Sequence, residues 1–169
     1  MRRTVPAIAI AILVLFLAAP AASANVSLTK PERQLLALVN HVRVTHKLPA
    51  LRINAKLERA ARSHSREMAA KDYFDHDSCN GQTFSQRLIS FGYTTSGCTY
   101  WQVGECIAYG AGSSGSPKAT FKSWMKSPQH RKIILTGSLR QVGLGRALGA
   151  YKGTTGCVFF TLDEGVRRR

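Results

Sequence analysis

Hydrophobic positions recur at helical spacing through the first part of the chain and at strand-like density toward its end. Thr29-Lys30-Pro31-Glu32 combines a capping box with an early proline, and the apolar residues after it predict a helix from about Pro31 to His46. Asn54 is a suitable N-cap for a second helix that reaches about Lys71. The other predicted elements are helical segments over 83–91, 117–127 and 130–135 and strands over 101–109, 141–148 and 157–163. This order favours an α+β domain in which helices cover a small antiparallel sheet.

The apolar faces of these helices supply the candidate core. His64 shares one face of the second predicted helix with Leu57 and Met68, so we interpret it as a core residue rather than a ligand. Trp124 lies on the apolar side of the helix that begins at Pro117, and we assign it to the core for the same reason.

The beginning of the chain has the pattern of a targeting segment. Arg2 and Arg3 precede an apolar stretch from Val5 to Ala19, and Ala22-Ser23-Ala24 is a small-residue cleavage signal, so we predict a secretory signal peptide and a secreted protein. The apolar stretch is shorter than the roughly 20 residues that a membrane span needs, and we expect no transmembrane segment after cleavage. The expected divisions are a signal peptide over 1–24, a lead-in over 25–30, one domain over 31–165 and a basic tail over 166–169.

The charge balance of the chain is strongly basic. The formal net charge is +15, and it becomes +13 when Arg2 and Arg3 leave with the signal peptide. Such a balance favours anionic cell-envelope components as partners, while export argues against a specific nucleic-acid partner. No pattern in the chain indicates an oligomeric state.

The four cysteines, Cys79, Cys98, Cys106 and Cys157, all lie in the predicted secreted part, where an oxidising compartment permits disulfides. We expect two bridges, for which three connectivities are open. We favour Cys79 with Cys98, because they flank one helix and loop, and Cys106 with Cys157, because they lie on two predicted strands. No Cys-x-x-Cys pair is present, so a zinc ribbon is not predicted.

Glu105 is the first candidate for chemistry, because it is a carboxylate inside the apolar run Val103-Gly104-Glu105-Cys106-Ile107-Ala108. An unpaired charge in such a run would be costly, so a partner is expected. His76, in a polar loop, and His130, just after Pro128, are the candidate partners. We therefore predict that His76, Glu105 and His130 meet in one cleft.

Several short motifs follow one another in an order that resembles a known family. They are Leu38-Val39-Asn40-x-x-Arg43, Ala60-Ala61-x-x-His64-x-x-x-Met68-Ala69, Tyr73-Phe74-Asp75-His76, Gly104-Glu105-x-Ile107-Ala108, Trp124-Met125-x-Ser127-Pro128-x-His130-Arg131-x-x-Ile134-Leu135 and Val142-Gly143-Leu144-Gly145. Together they resemble the bacterial branch of the CAP superfamily, which is named for cysteine-rich secretory proteins, antigen 5 and pathogenesis-related proteins and is also called the SCP domain. The resemblance covers about residues 31–165.

The resemblance implies a three-layer α-β-α sandwich, an extracellular location and a cleft lined by two histidines and one or two acidic residues. The family's first histidine corresponds to His76, its acid to Glu105 and its second histidine to His130. The position of the second acid of eukaryotic members corresponds to Ser127, which we keep as a secondary cleft candidate. Trp101, which lies beside a loop, is the other secondary candidate.

The chain departs from the family pattern near the expected cleft. Cys106 and Ile133 stand where the family usually has asparagines, and Asp163 belongs to a Leu162-Asp163-Glu164-Gly165 ending where Asp-Phe-Gly is common. Losing both amides removes polar groups that orient such a site.

The residues of the predicted cleft fit three hypotheses. Two imidazoles and one carboxylate, His76, His130 and Glu105, would suit a zinc-like divalent metal with an open position for water. The same residues would suit acid–base catalysis. They would also suit a hydrogen-bonded network that fixes the fold, in which no charge is left unpaired.

We expect a non-enzymatic extracellular binding module whose cleft takes a lipid-like, peptide or polysaccharide ligand. The resemblance implies a groove, and family members include lipid and sterol binders. The alternative is a metal-dependent hydrolase that acts at the cell envelope.

Overall fold

The structure is a computed structural model that describes residues 27–169, so the predicted signal peptide lies outside the described residues. The helices are α1 (Lys30–Thr45), α2 (Ala55–Lys71), α3 (Phe84–Ser90), α4 (Pro117–Lys126) and α5 (Pro128–Ile134). The strands are β1 (Arg52–Ile53), β2 (Tyr100–Ala111), β3 (Gln141–Tyr151) and β4 (Thr154–Arg168). A short 3-10 turn, Gly112–Gly115, joins β2 to α4.

Local capping explains why the helices begin where the sequence predicts. The Asn54 side chain accepts hydrogen bonds from the backbone N–H groups of Lys56 and Leu57 at the start of α2. Thr29 and Glu32 form a reciprocal capping box at the start of α1. These contacts join residues at most three positions apart, so they can be predicted without knowledge of the tertiary fold.

The four strands form one sheet in the order β1-β3-β4-β2. Strand β4 pairs antiparallel with both β2 and β3, but β1 pairs parallel with β3. The sheet is therefore mixed rather than wholly antiparallel as predicted, because the two residues of β1 were too few to show a strand pattern. The predicted basic tail also differs, since β4 continues to Arg168, which lies opposite Tyr100.

Helices cover both faces of this sheet, which confirms the α+β class and the α-β-α sandwich. On one face, Trp124 and Ile134 pack with Leu35, Leu144 and Leu162 from α1, β3 and β4. On the other face lies α2, which confirms His64 as a fully buried residue. Within residues 27–169, none of the helices has both the length and the apolar character needed to cross a bilayer.

Two glycines of β3 allow α2 to approach the sheet closely. A Cβ atom at Gly143 would lie 2.0 Å from the carbonyl carbon of Leu57, and one at Gly145 would lie 2.1 Å from the carbonyl oxygen of Ala61. Both clashes are with helix backbone, which cannot rotate away. The Val142-Gly143-Leu144-Gly145 motif therefore sets the distance between α2 and the sheet.

Candidate functional site

Glu105 lies in the middle of β2, a strand at one edge of the sheet, and only 2% of Glu105 is exposed. One carboxylate oxygen, Oε1, lies 2.7 Å from Nδ1 of His76. The other oxygen, Oε2, accepts a hydrogen bond from Nη2 of Arg87. Burial alone would raise the pKa of Glu105, but the hydrogen bond with His76 and the charge of Arg87 outweigh it and lower the pKa.

Arg87, which sequence reasoning missed, joins Glu105 to the loop that carries His76. Its Nη1 donates to the carbonyl oxygen of His76 at 3.0 Å and to Oγ of Ser78 at 2.9 Å. The signal for Arg87 was its position on α3, three residues after Phe84 and next to Leu88, which places it on the apolar side of that helix. One guanidinium thus fixes both the carboxylate and the backbone beside its imidazole partner.

Asp163 is a second acid of the site that was not assigned there from sequence. It lies directly opposite Glu105 in the β2–β4 register, and it is fully buried. Burial and the negative charge of Glu105 raise the pKa of Asp163 well above its usual range. The surroundings of the two acids therefore favour the ionised form of Glu105 and the neutral form of Asp163.

The two predicted cleft histidines differ in environment. The hydrogen bond with Glu105 raises the pKa of His76 despite partial burial, and 46% of the His76 side chain is exposed. Burial, and then the nearby charge of His76, lower the pKa of His130. His130 lines a recess of about 200 Å³ together with Phe74, Ile107, Ala108, Tyr109 and Ser123. The structure thus joins His76 directly to Glu105, and it places His130 at the edge of β2 within electrostatic range of His76.

The secondary candidates have structural contacts of their own. Oγ of Ser127 accepts from the backbone N–H of His130 at 3.5 Å and caps α5. Nε1 of Trp101 donates to the carbonyl oxygen of Tyr93 at 3.3 Å, and its ring packs against a buried cluster that includes Leu88. Neither residue belongs to the lining of the His130 recess. His64, the third histidine nearby, is held by a 2.9 Å contact between Nε2 and the carbonyl oxygen of Asp75.

The predicted disulfides are not confirmed, because all four cysteines are free in this structure, and the pairing of Cys106 with Cys157 is wrong. Cys157 lies opposite Ala111, five positions along β2 from Cys106, which separates the two cysteines by about 17 Å along the strand. A disulfide requires Cα atoms within about 7 Å. Cys79 is exposed, and Sγ of Cys98 instead receives a contact from Nε of Arg167 at 3.3 Å.

The two residues that replace the family's asparagines, Cys106 and Ile133, make apolar contacts. Cys106 is fully buried in the main core, and burial raises the pKa of its thiol well above the ordinary range. Ile133 packs against Gly104, where its Cγ2 lies 2.7 Å from the position that a Cβ would take. The strand of Glu105 is therefore held by packing rather than by amides or by a disulfide.

The donor set does not fit a bound metal ion. Among residues 27–169, no group of three or more histidine, cysteine, aspartate or glutamate side chains has the geometry to hold one. Each oxygen of Glu105 is already in contact with a partner, and one of the two partners is the positively charged guanidinium of Arg87. We therefore derive no chemistry that passes through a metal.

A larger groove lies away from this network, between α1 and the start of α4. Its volume is about 620 Å³, and its surface is predominantly apolar. The lining residues are Gln34, Ala37, Leu38, His41, Ser116, Pro117 and Lys118.

The contact between His76 and Glu105 predicts a pH effect. A histidine whose pKa is raised in the folded state stabilises the fold fully below its unfolded pKa of about 6.5, and this stabilisation is lost as pH rises through the raised folded value. We expect Glu105→Gln to lower the pKa of His76, measured from the pH dependence of its imidazole NMR signal. Asp77→Asn is the matched control, since Asp77 is exposed and the charges that shift the pKa of His76 are those of Glu105, Asp75 and Arg87. An equal fall in both variants, or none in Glu105→Gln, would contradict the assignment.

Comparisons with known proteins find a matching family and related sequences. The model of the Cysteine-rich secretory protein family, CAP, matches residues 36–163. The chain is 34% identical over 123 residues to the uncharacterized protein YkwD of Bacillus subtilis, covering 73% of this chain and 45% of the relative. It is 32% identical over 117 residues to the uncharacterized membrane protein YlbC of Bacillus subtilis, covering 69% of this chain and 32% of the relative. The chain thus spans less than half the length of either relative.

Two solved structures resemble the chain. An extracellular protein containing an SCP domain from Bacillus anthracis has a TM-score of 0.61 at 30% identity, covering 82% of this chain and 40% of that chain. An outer surface protein from Borrelia burgdorferi has a TM-score of 0.68 at 19% identity, covering 85% of this chain and 97% of that chain. The second likeness is one of fold alone.

Proposed function

The chain belongs to the cysteine-rich secretory protein (CAP) family, and on this premise we propose that it is a non-enzymatic extracellular module that binds a lipid-like ligand. The observation that supports the proposal is the groove between α1 and α4. Its lining is largely apolar, and its volume of about 620 Å³ is about three times the 200 Å³ of the recess at His130. Ligand sites of this kind combine an apolar lining with a few polar groups that orient the ligand.

The residues of the groove suggest how such a ligand is oriented. Ala37 and Leu38 on α1 face Pro117 at the start of α4 and offer an apolar floor. Lys118 and His41 belong to the same lining and supply polar groups for a head that bears a negative charge. A fatty acid combines these two features, with an acyl chain for the floor and a carboxylate for Lys118.

The cleft around Glu105 gives less support to the hydrolase alternative. A general base or a nucleophile must reach the substrate, but Glu105 is only 2% exposed, and each of its oxygens is in contact with His76 or Arg87. The same carboxylate orients the ring of His76 through Nδ1, so a hydrolase mechanism would have to use Nε2 of His76 rather than Glu105 itself. We propose that this network holds the loop that carries His76 against the sheet and shapes the recess beside His130.

Binding of a fluorescent fatty acid, cis-parinaric acid, tests the proposal. We expect saturable binding, and we expect Ala37→Trp to weaken it at least tenfold. The indole would occupy the floor, and each methylene kept out of the groove costs about 0.8 kcal/mol, so the exclusion of two methylenes reduces affinity by about tenfold. Ala70→Trp is the matched control, because Ala70 is also an exposed alanine on a helix but lies on α2.

Two results would count against this function. One is the absence of saturable probe binding, or binding that Ala37→Trp leaves unchanged. The other is ester or peptidoglycan hydrolysis by the purified protein that disappears in folded Glu105→Gln and His76→Ala variants, which would favour the hydrolase.

A further inference from the structure

Carboxylate side chains are unevenly distributed over this protein. Five of the nine acidic residues are buried, namely Glu32, Glu58, Glu105, Asp163 and Glu164. The other four, Glu67, Asp72, Asp75 and Asp77, all lie between positions 67 and 77, at and just beyond the C-terminal end of α2. The surface near the opposite end of α2, about 25 Å away along the helix, therefore carries lysine and arginine without exposed carboxylate side chains.

A recess lies at that opposite end, just before the start of α2. Its volume is about 590 Å³, and it is lined by Pro49, Ala50, Arg52, Arg140 and Gln141. Arg52 and Arg140 are direct neighbours, because the backbone N–H of Arg52 donates to the carbonyl oxygen of Arg140 at 2.9 Å. Two guanidinium groups therefore line one cavity from adjacent chain segments.

The polar groups of the recess are arranged as hydrogen-bond donors. Nη1 of Arg140 donates to the carbonyl oxygens of Gly137 and Leu139, which holds the guanidinium in place and leaves its other nitrogen atoms for a ligand. Oε1 of Gln141 accepts from the hydroxyl of Tyr93 at 2.8 Å, so the amide NH2 of Gln141 is left to donate.

The positive charge of the recess is not neutralised from within the described part of the fold. In the β3–β4 register, Glu164 lies opposite Val142, the residue after Gln141. Its Oε2 lies 4.0 Å from Nη1 of the buried Arg43. Burial raises the pKa of Glu164 to about 8, which weakens its negative charge at neutral pH, and the charge that it keeps faces Arg43 rather than the recess. Burial lowers the pKa of Arg43, and the charge of Arg140 lowers it further, as expected for guanidinium groups that repel each other.

We propose that this recess binds a phosphate group through the guanidinium groups of Arg52 and Arg140 and the amide of Gln141. Guanidinium is planar and pairs with phosphate oxygens through two parallel hydrogen bonds. A phosphate offers enough oxygens for two guanidinium groups and an amide together, whereas a carboxylate offers two. The site shares no lining residue with the groove between α1 and α4, so it is a separate site from the proposed lipid groove.

An NMR titration of the folded protein with inorganic phosphate tests this site. We expect saturable shifts centred on Arg52, Arg140 and Gln141, with affinity at least about tenfold weaker in Arg52→Gln/Arg140→Gln. The matched control is Lys122→Gln/Lys126→Gln, which removes the same charge from two exposed residues of α4 and is expected to change affinity less than about twofold. Equal weakening in both double variants would indicate diffuse charge attraction and overturn the proposal, as would unchanged affinity in the arginine variant.

Two further titrations identify what carries the phosphate. Glycerol 3-phosphate and vesicles that contain phosphatidic acid present a phosphate monoester, with three terminal oxygens, on a soluble molecule and on a membrane. If the arginine variant loses more affinity for a probe than the lysine control does, the result supports the site and identifies that probe's carrier as the one recognised. If the arginine variant and the lysine control lose the same affinity for both probes, the proposed site is wrong. Ala37→Trp is expected to bind phosphate normally, so failure of the lipid groove and failure of this site are distinguishable.

Discussion

Replacing Arg43 by methionine is expected to lower the free energy of unfolding by about 3–5 kcal/mol. Arg43 on α1 is fully buried. Its guanidinium donates to the carbonyl oxygens of Pro49, Ile134, Thr136 and Leu139 at distances from 2.7 to 3.2 Å. One side chain therefore ties α1 to the end of α5 and to the segment that leads into β3.

The expected loss has two parts. The four carbonyl groups lose a buried donor, and each unsatisfied group carries a cost of about 1–3 kcal/mol if water cannot replace the donor. Glu164 also loses the only cation that the salt bridges place beside it in the described part of the chain. Arg43→Lys keeps a charge near Glu164 but cannot reach the same set of carbonyls, so we expect it to fall between the wild type and Arg43→Met.

Urea unfolding followed by circular dichroism measures these differences. Arg66→Met is the matched control, since Arg66 is exposed on α2 and its loss is expected to change stability by no more than about 0.5 kcal/mol. Equal stability of Arg43→Met and Arg66→Met would show that the buried guanidinium does not hold these segments together.

The helices could be predicted closely because their signals are local. Asn54 and Thr29 cap helices through contacts with residues two or three positions away, and Pro117 marks the first position of α4. Strand β1 could not be predicted in this way, because its two residues form a strand only by pairing with β3, about 90 positions further along the chain. Its identity depends on the tertiary fold.

The disulfide pairing of the cysteines also depends on the tertiary fold. Cys106 and Cys157 do lie on neighbouring strands, as predicted, but a strand assignment does not supply a register. The actual register places Cys157 opposite Ala111, and the two cysteines belong to different clusters of the core. Only the pairing of β2 with β4 reveals that the two thiols cannot meet.

The candidate site could be predicted in part. The cost of a charge in an apolar strand was enough to predict a partner for Glu105, and His76 is in contact with it. Asp163 could not be placed beside Glu105, because its position depends on the register of two strands that are 58 residues apart at this pair. Arg87 was missed because arginines on short helices are usually solvated, and only its spacing from Phe84 pointed inward.

Arg87 gives the second large prediction, which concerns the stability of the cleft. We expect Arg87→Met to lower the free energy of unfolding by about 3–5 kcal/mol, because it leaves the buried carboxylate of Glu105 without its guanidinium partner and next to Asp163. The double variant Arg87→Met/Glu105→Gln removes the charge as well, so it is expected to be more stable than Arg87→Met alone.

The pH dependence separates this electrostatic effect from a simple loss of packing. The lowered pKa of Glu105 means that its ionised form stabilises the wild type above the ordinary glutamate pKa of about 4.3, and that this contribution is lost as pH falls through the lowered value. In Arg87→Met the carboxylate is protonated more easily, so the difference from the wild type is expected to shrink on acidification toward pH 4. Urea unfolding at a series of pH values measures the difference. Two results would contradict this interpretation: a stability difference between the wild type and Arg87→Met that stays constant with pH, or a double variant no more stable than Arg87→Met. Either result would mean that Arg87 stabilises the fold through packing and not through its charge beside Glu105.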